Sequence, residues 1–498
     1  MNMKRIFVIL AISSLAISSC KKDYLETKPT NAVSDGVVFT NTTDAWKAIE
    51  GMHRFLYRQM YATQALGGIS GNMIYMDALG EDLVMTGQSN GWFINEYRWI
   101  NHRLVTSTIC YYNYLYFFSF ISNANQILAQ IDAATGPQAD KDAIKGQALA
   151  YRGWAYFMMI QLFGERFDKD GTNSGLGLPM RTEPTVGATP RVSVAEIYTQ
   201  LNKDLDDAIT LLASSTIAPR RDKSHINVNV ARGFKARVAL AQQNWAVAAQ
   251  MAAQARQGFT LMTNAQYMQG FNNYTNPEWI WGFKQQEDQG TFFYSFFAYL
   301  SCNFNSTNIR TNPKAINSLL YNQISATDVR KGLWDPTGTN TAFPIPLNPN
   351  GSRFPYMNRK FYVNNVAVSA GDVPLMRGAE MYLIEAEALA RAGGQDVAAR
   401  QALFTMASNR DPNYVLSTNS GQALINEIMI QRRVELWGEG FRFYDLKRTN
   451  SPLDRTGANH NASLAGVFSV PAGDKQWQFL IPQQELNNTN GVVVQNPL

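Results

Sequence analysis

Residues 229–257 read NVARGFKARVALAQQNWAVAAQMAAQARQ. Ala231, Ala236, Ala239 and Ala241 punctuate the first half. Ala246, Ala248, Ala249, Ala252, Ala253 and Ala255 punctuate the second, and only Gln243 and Asn244 separate the halves. Small residues at helical spacing let two helices approach closely, so the stretch predicts helices over Asn229–Gln242 and Trp245–Gln257 in a tight hairpin. Such hairpins are the unit of tetratricopeptide repeats, which stack into a solenoid.

Outward from this pair the same period recurs. Downstream, Leu375–Ala392 and Gln395–Ser408 form a second predicted pair joined at Gly393-Gly394, and Gln422–Trp437 a further helix ending near Gly438. Upstream, Ala148, Tyr151, Ala155, Met158 and Leu162 line one side of a helix over Asp142–Phe163. Gly153, Phe157 and Ile160 make its other side apolar too, which marks an inner helix stopped by Gly164. Val194–Leu212 is amphipathic, with Ser193 as N-cap. Residues 259–372 differ: Asn, Thr, Gly and Pro surround short apolar runs such as Trp279-Ile280-Trp281, whose alternation predicts one ring inward and one outward. The expected fold is mainly α: a tetratricopeptide-like helix-pair scaffold with an irregular, loop-rich inserted region and small strands. No low-complexity linker divides residues 20–498, so a single domain is expected, with a helical part (20–258), the insertion (259–372) and a second helical part (373–498).

Residues 1–19 read as a targeting segment. Lys4 and Arg5 precede an apolar run, Ile6–Ile17, too short to span a bilayer. It ends in Leu15-Ala16-Ile17-Ser18-Ser19-Cys20, the order of a bacterial lipobox, in which Cys20 becomes a lipidated N-terminus. Several acyl chains hold a protein firmly to a membrane. Loss of Lys4 and Arg5 lowers the formal net charge from +5 to +3, too small for a nucleic-acid surface. Cys110, in an aromatic run, reads as a buried thiol, and neither it nor Cys302 belongs to a CxxC pair.

Four further segments, in order, resemble the SusD/RagB family of outer-membrane lipoproteins. Tyr151-Arg152-Gly153-Trp154-Ala155-Tyr156-Phe157, closing on Leu162-Phe163-Gly164, is similar to its R-a-x-x-Y-F…l-f-G helix. Arg377-Gly378-Ala379-Glu380-Met381-Tyr382-Leu383 through Glu385-Ala386-Glu387-Ala388 is similar to R-x-A-E-x-y-L-x-x-A-E-A, departing at Gly378. Arg432 to Arg448 is similar to R-x-x-E-L-x-x-E-G-x-R-x-x-D-L-x-R. Ile481-Pro482, Glu485-Leu486 and Gln495-Asn496-Pro497 match its C-terminal signature, with a local variation at Thr489-Asn490-Gly491. The resemblance implies a non-catalytic surface lipoprotein that binds a glycan or another nutrient and sits as a lid on a SusC-like TonB-dependent transporter. An alternative is the same architecture binding peptides; a glycoside hydrolase and a protein-interaction scaffold rank below.

The residues themselves support binding over catalysis. Glu380 and Glu387 lie seven apart on one helix face, and Glu435, Glu439 and Asp445 lie near Arg432, Arg433, Arg442 and Arg448; each carboxylate has cationic residues close in sequence, a setting for ion pairs, whereas a general acid needs a raised pKa. His53, His102, His225 and His460 are dispersed without metal-ligand spacing, so no metal or cofactor is expected; His102 reads as a surface residue. Asp328-Val329-Arg330 reads as structural. Aromatic residues make up 12% of the chain. Sugar C–H faces stack on flat rings while hydroxyls bond to amides, so a glycan site needs Trp or Tyr beside Asn. Two clusters have that mixture, Gly91–Arg103 and Thr291–Asn305; Tyr111–Phe120 reads instead as a core helix. The candidate stacking residues are Trp92, Tyr97, Tyr294 and Tyr299. Asn90, Asn95 and Asn303 are the candidate hydrogen-bonding residues. Roughly half the second cluster should be core, since large rings dominate burial. For the anchor, Cys20→Ala is expected to release the protein from the membrane fraction, as read by fractionation and immunoblotting.

Overall fold

A computed structural model describes residues 39–60, 65–215, 222–286, 296–340 and 352–498. Its principal helices are α1 (Thr42–Phe55), α2 (Ile69–Ala78), α3 (Thr108–Gln130), α4 (Gln138–Phe163), α5 (Val194–Ala213), α6 (Val228–Ala241), α7 (Trp245–Ala255), α8 (Gly378–Ala392), α9 (Asp396–Arg410), α10 (Gly421–Glu435) and α11 (Arg442–Arg448). The predicted hairpin is α6–α7. Asn244 caps α7 by accepting from the Val247 amide at 3.4 Å, and Gln243 turns the chain at φ +59°. Ala231, Ala236 and Ala239 face inward from α6, and Ala248, Ala252 and Ala255 from α7. A Cβ on Gly233 would stand 2.2 Å from Met376 Sδ, which explains a glycine mid-helix despite its entropic cost. α4 is buried without a break from Gly146 to Ile160, as its two apolar sides imply. α5 begins on a capping box between Ser193 and Glu196.

The strands are short. β1 (Leu83–Met85), β5 (Lys314–Ile316), β7 (Met357–Asn358) and β6 (Trp334–Asp335) form one antiparallel sheet in the order β1-β5-β7-β6. β4 (Trp279–Phe283) pairs with β8 (Val373–Arg377), β2 (Leu176–Pro179) with β3 (Arg191–Ser193), and β9 (Leu453–Asp454) with β10 (Ser469–Val470). Two expectations change here. Leu375–Arg377 is strand and not helix, because it pairs with β4; the helix starts at Gly378. Trp279 and Trp281 are both buried, since residues two apart in a strand share a face and β4 is buried along its whole length. The Trp281 ring meets Trp154 (5.6 Å) and Phe234 (5.0 Å) edge-on. One continuous apolar cluster runs from Ala45 to Val493.

The insertion is fixed to the helices by charge. Glu278, just before β4, receives Arg377 Nη1 at 2.6 Å and Arg410 Nη2 at 2.8 Å. Glu435, at the end of α10, receives Arg377 (3.0 Å), Arg410 (3.1 Å) and Arg330 (3.2 Å). Arg330 also holds Asp328 at 2.6 Å, and Glu439 receives Arg377 at 2.7 Å and Lys360 at 2.8 Å. All eight side chains are buried. Burial pushes the Glu435 carboxyl up, but Arg410, Arg377 and Arg330 outweigh it and hold it well below the usual carboxylate range. Breaking a buried pair strands an uncompensated charge. Arg410→Met is therefore expected to lower stability by about 3–5 kcal/mol, measured by urea unfolding with circular dichroism.

Candidate ligand-binding edge

The segment from Ser89 to Trp99 is held from inside by rings. Phe93, at φ +61°, packs edge-on against Tyr299 at 4.4 Å and at a tilt against Tyr75 at 4.9 Å. Trp99, at φ +59°, donates its indole N–H to the Leu79 carbonyl at 2.9 Å. Bulky residues rarely take positive φ and hold it only where their surroundings enforce it. With these rings turned inward, Asn90, Gly91 and Asn95 are exposed and Trp92 lies half-buried at the edge of the core.

A second segment is stitched beside this one. The Thr86 and Gly87 amides donate to Asn312 Oδ1 at 3.0 and 3.2 Å, and Ser89 Oγ donates to the Thr307 carbonyl at 3.3 Å. Asn305 takes Arg310 Nη1 on its amide oxygen at 2.6 Å, and its backbone N–H donates to Val366 at 2.8 Å. Asn305, Asn364 and Asn365 are exposed. The result is an amide-rich edge with one half-buried indole, able to offer a stacking face together with paired donors and acceptors.

Several sequence candidates do not lie on it. Tyr97 is fully buried: its hydroxyl meets His460 Nδ1, and Arg455 sits 4.4 Å from its ring centroid. Tyr299 is buried beneath Phe93, with Lys314 Nζ 4.0 Å from its ring centroid. Asn303 is buried and exchanges both its amide groups with the Val363 backbone at 2.9 Å. Their rings and amides are taken up by the core, so these three are corrected to structural residues. Tyr294 and Cys20 lie outside the described residues. Asn305, Asn364 and Asn365 were not singled out as binders. Asn364-Asn365 is a turn-like dipeptide, and the bond from the Asn305 N–H to Val366 brings its loop beside this edge. His102 is buried and not superficial, with Nε2 3.0 Å from the Gln476 carbonyl; burial lowers its pKa to about 3.

Catalytic groupings are accounted for by structure. Glu380 pairs with Arg237 at 2.7 Å, Glu387 with Arg391 (2.8 Å) and Arg448 (2.7 Å), and Asp445 with Arg432 at 2.7 Å. Gly87-Gln88-Ser89-Asn90-Gly91 has the spelling of a nucleophile elbow, G-x-S-x-G, but no histidine serves Ser89. His53 contacts Tyr151, His225 contacts Glu50, and His102 and His460 are engaged as above. Among the described residues no group of three or more His, Cys, Asp or Glu side chains is placed to hold a metal, and no helix is long and apolar enough to cross a membrane.

The helix-pair scaffold with its ion-locked insertion defines a mainly α class of protein. A family model described as the SusD family matches residues 122–498, and the chain belongs to that family. A search of curated proteins returns no match. Solved structures similar to it include a SusD-like carbohydrate binding protein from Bacteroides vulgatus, with 26% identity, 91% of this chain and 97% of that one covered, and a TM-score of 0.78. A laminarin binding SusD-like protein is 20% identical over 92% of this chain and all of that one, with a TM-score of 0.68. Surface glycan-binding protein A from Bacteroides thetaiotaomicron is 16% identical over 93% of this chain and 100% of that one, with a TM-score of 0.71.

The environment of His460 has a measurable consequence. Its Nε2 lies 3.0 Å from the Glu81 carbonyl and its Nδ1 faces the Tyr97 hydroxyl, a neutral ring with both nitrogens satisfied. Burial, then the nearby Arg455, lowers its pKa from 6.5 to about 4. Between those values the unfolded chain binds the extra proton, so stability falls as pH drops from about 6.5 to about 4 and this contribution then levels off. His460→Gln is expected to show a shallower decline over that window in urea midpoints measured pH by pH.

Proposed function

We propose that this protein binds an oligo- or polysaccharide at the edge formed by Asn90, Trp92, Asn95 and Asn305. The observation that carries this reading is the arrangement of the 89–99 segment. Phe93, Tyr97 and Trp99 are spent inward to hold it, which leaves an indole edge beside exposed amides. A sugar ring offers a C–H face to the indole and hydroxyls to the amides. The binding of laminarin and of surface glycans by structurally similar proteins supports a carbohydrate over a peptide. The carboxylates that would have to act in a glycosidase are ion-paired, which favours capture without cleavage. Lipidated at Cys20, the protein would sit on the outer membrane facing outward and hand its ligand to a SusC-like TonB-dependent transporter.

A glycan array with the purified chain tests the binding reading. Binding without release of products is expected, weakened about tenfold by Trp92→Ala, the loss of one stacked ring. Asn90→Ala and Asn95→Ala are expected to weaken it less. An array with no glycan bound, or binding indifferent to Trp92, refutes the site.

A further inference from the structure

A second recess lies away from this edge, between α2, α4, α6 and the segment leading into α11. Its cavity volume is about 70 Å³. The floor is apolar: Trp154, Trp281, Leu240 and Leu375. The rim is charged, with Arg237, Arg432 and Arg448 beside Glu439 and Asp445. Arg237 and Arg432 both approach the ring of Phe441, each guanidinium carbon 5.2 Å from its centroid. Arg237 is committed to Glu380 by two bonds of 2.7 Å and to the Leu375 carbonyl. Arg432 spends Nε on Asp445, whereas its buried Nη1 has no partner in the protein. A buried guanidinium N–H left unbonded is costly, so it points to an acceptor that is not part of the chain.

The wall chemistry defines that acceptor. The two carboxylates on the rim are already engaged: Asp445 by Arg432 and Arg448, Glu439 by Arg377 and Lys360. The unspent group is therefore a donor on a cation, which suits an anion with charge-assisted bonds. The volume is about half that of a 150 Å³ cavity that holds the six carbons of benzene, so it takes about three carbons, the carbon chain of a small carboxylate, with the carboxylate oxygens at the rim. We propose that this recess binds a short-chain monocarboxylate, its carboxylate on Arg432 Nη1 and its alkyl tail against Trp154 and Trp281. The site is independent of glycan capture, since it shares no residue with the 89–99 edge.

Saturation-transfer NMR on the purified chain tests this with sodium propionate as probe and 1-propanol as its uncharged counterpart. Propionate is expected to bind with a Kd of about 1 mM, and 1-propanol to give no transfer. Arg432→Met removes the donor and is expected to weaken propionate at least about tenfold. Leu240→Phe fills the floor while leaving every ion pair in place, and is expected to do the same; it decides the matter if Arg432→Met does not fold. Absence of propionate transfer, equal transfer from 1-propanol, or undiminished binding in a folded Leu240→Phe protein overturns the proposal.

Discussion

The placement of the insertion against the helices depends on one buried exchange of charge. Glu278, Glu435 and Glu439 face Arg377, Arg410, Arg330 and Lys360 where the insertion meets the C-terminal helices. No partner can be removed without leaving an ion in a medium that solvates it poorly. Apolar contact alone is non-directional and would hold the insertion against the scaffold in many orientations. Bidentate guanidinium–carboxylate bonds select one, because their forks match only in a narrow geometry. Arg377 illustrates this at the junction of β8 and α8, where it reaches Glu278 before β4 and Glu435 at the end of α10 together.

A second set of pairs performs the same task for the N-terminal half. Arg433 and Arg442 close on Asp82 and Glu81, which precede and begin the approach to β1. The four-stranded sheet then carries that placement to the 305–316 region through β5. The 89–99 segment begins four residues after β1, so its position is inherited from the same network.

The scaffold was legible in the sequence because helical periodicity is local. α4, α5 and the α6–α7 hairpin need only their own residues and caps to be recognised. The ion pairs of Glu387 with Arg391 and of Asp445 with Arg448 were legible for the same reason, being three or four residues apart, whereas the partners of Glu380 (Arg237) and Glu435 (Arg330, Arg377 and Arg410) are distant in sequence and come only with the fold. β8 was not, because Leu375–Arg377 becomes strand only through β4, almost a hundred residues earlier. The candidate edge was half legible. The mixture of rings and amides at 90–99 marked the region, but which ring turns inward depends on positive φ at Phe93 and Trp99 and on Tyr299 beneath them. Composition carries no trace of either.

The division of labour in that segment has an evolutionary meaning. Buried rings anchor it, while Asn90, Gly91 and Asn95 touch little else. Surface substitutions away from the core are usually near neutral for stability. On the proposed reading, ligand preference drifts through these few outward positions while the fold stays under separate selection. The same frame could be retuned from one nutrient to another by changing its fringe alone.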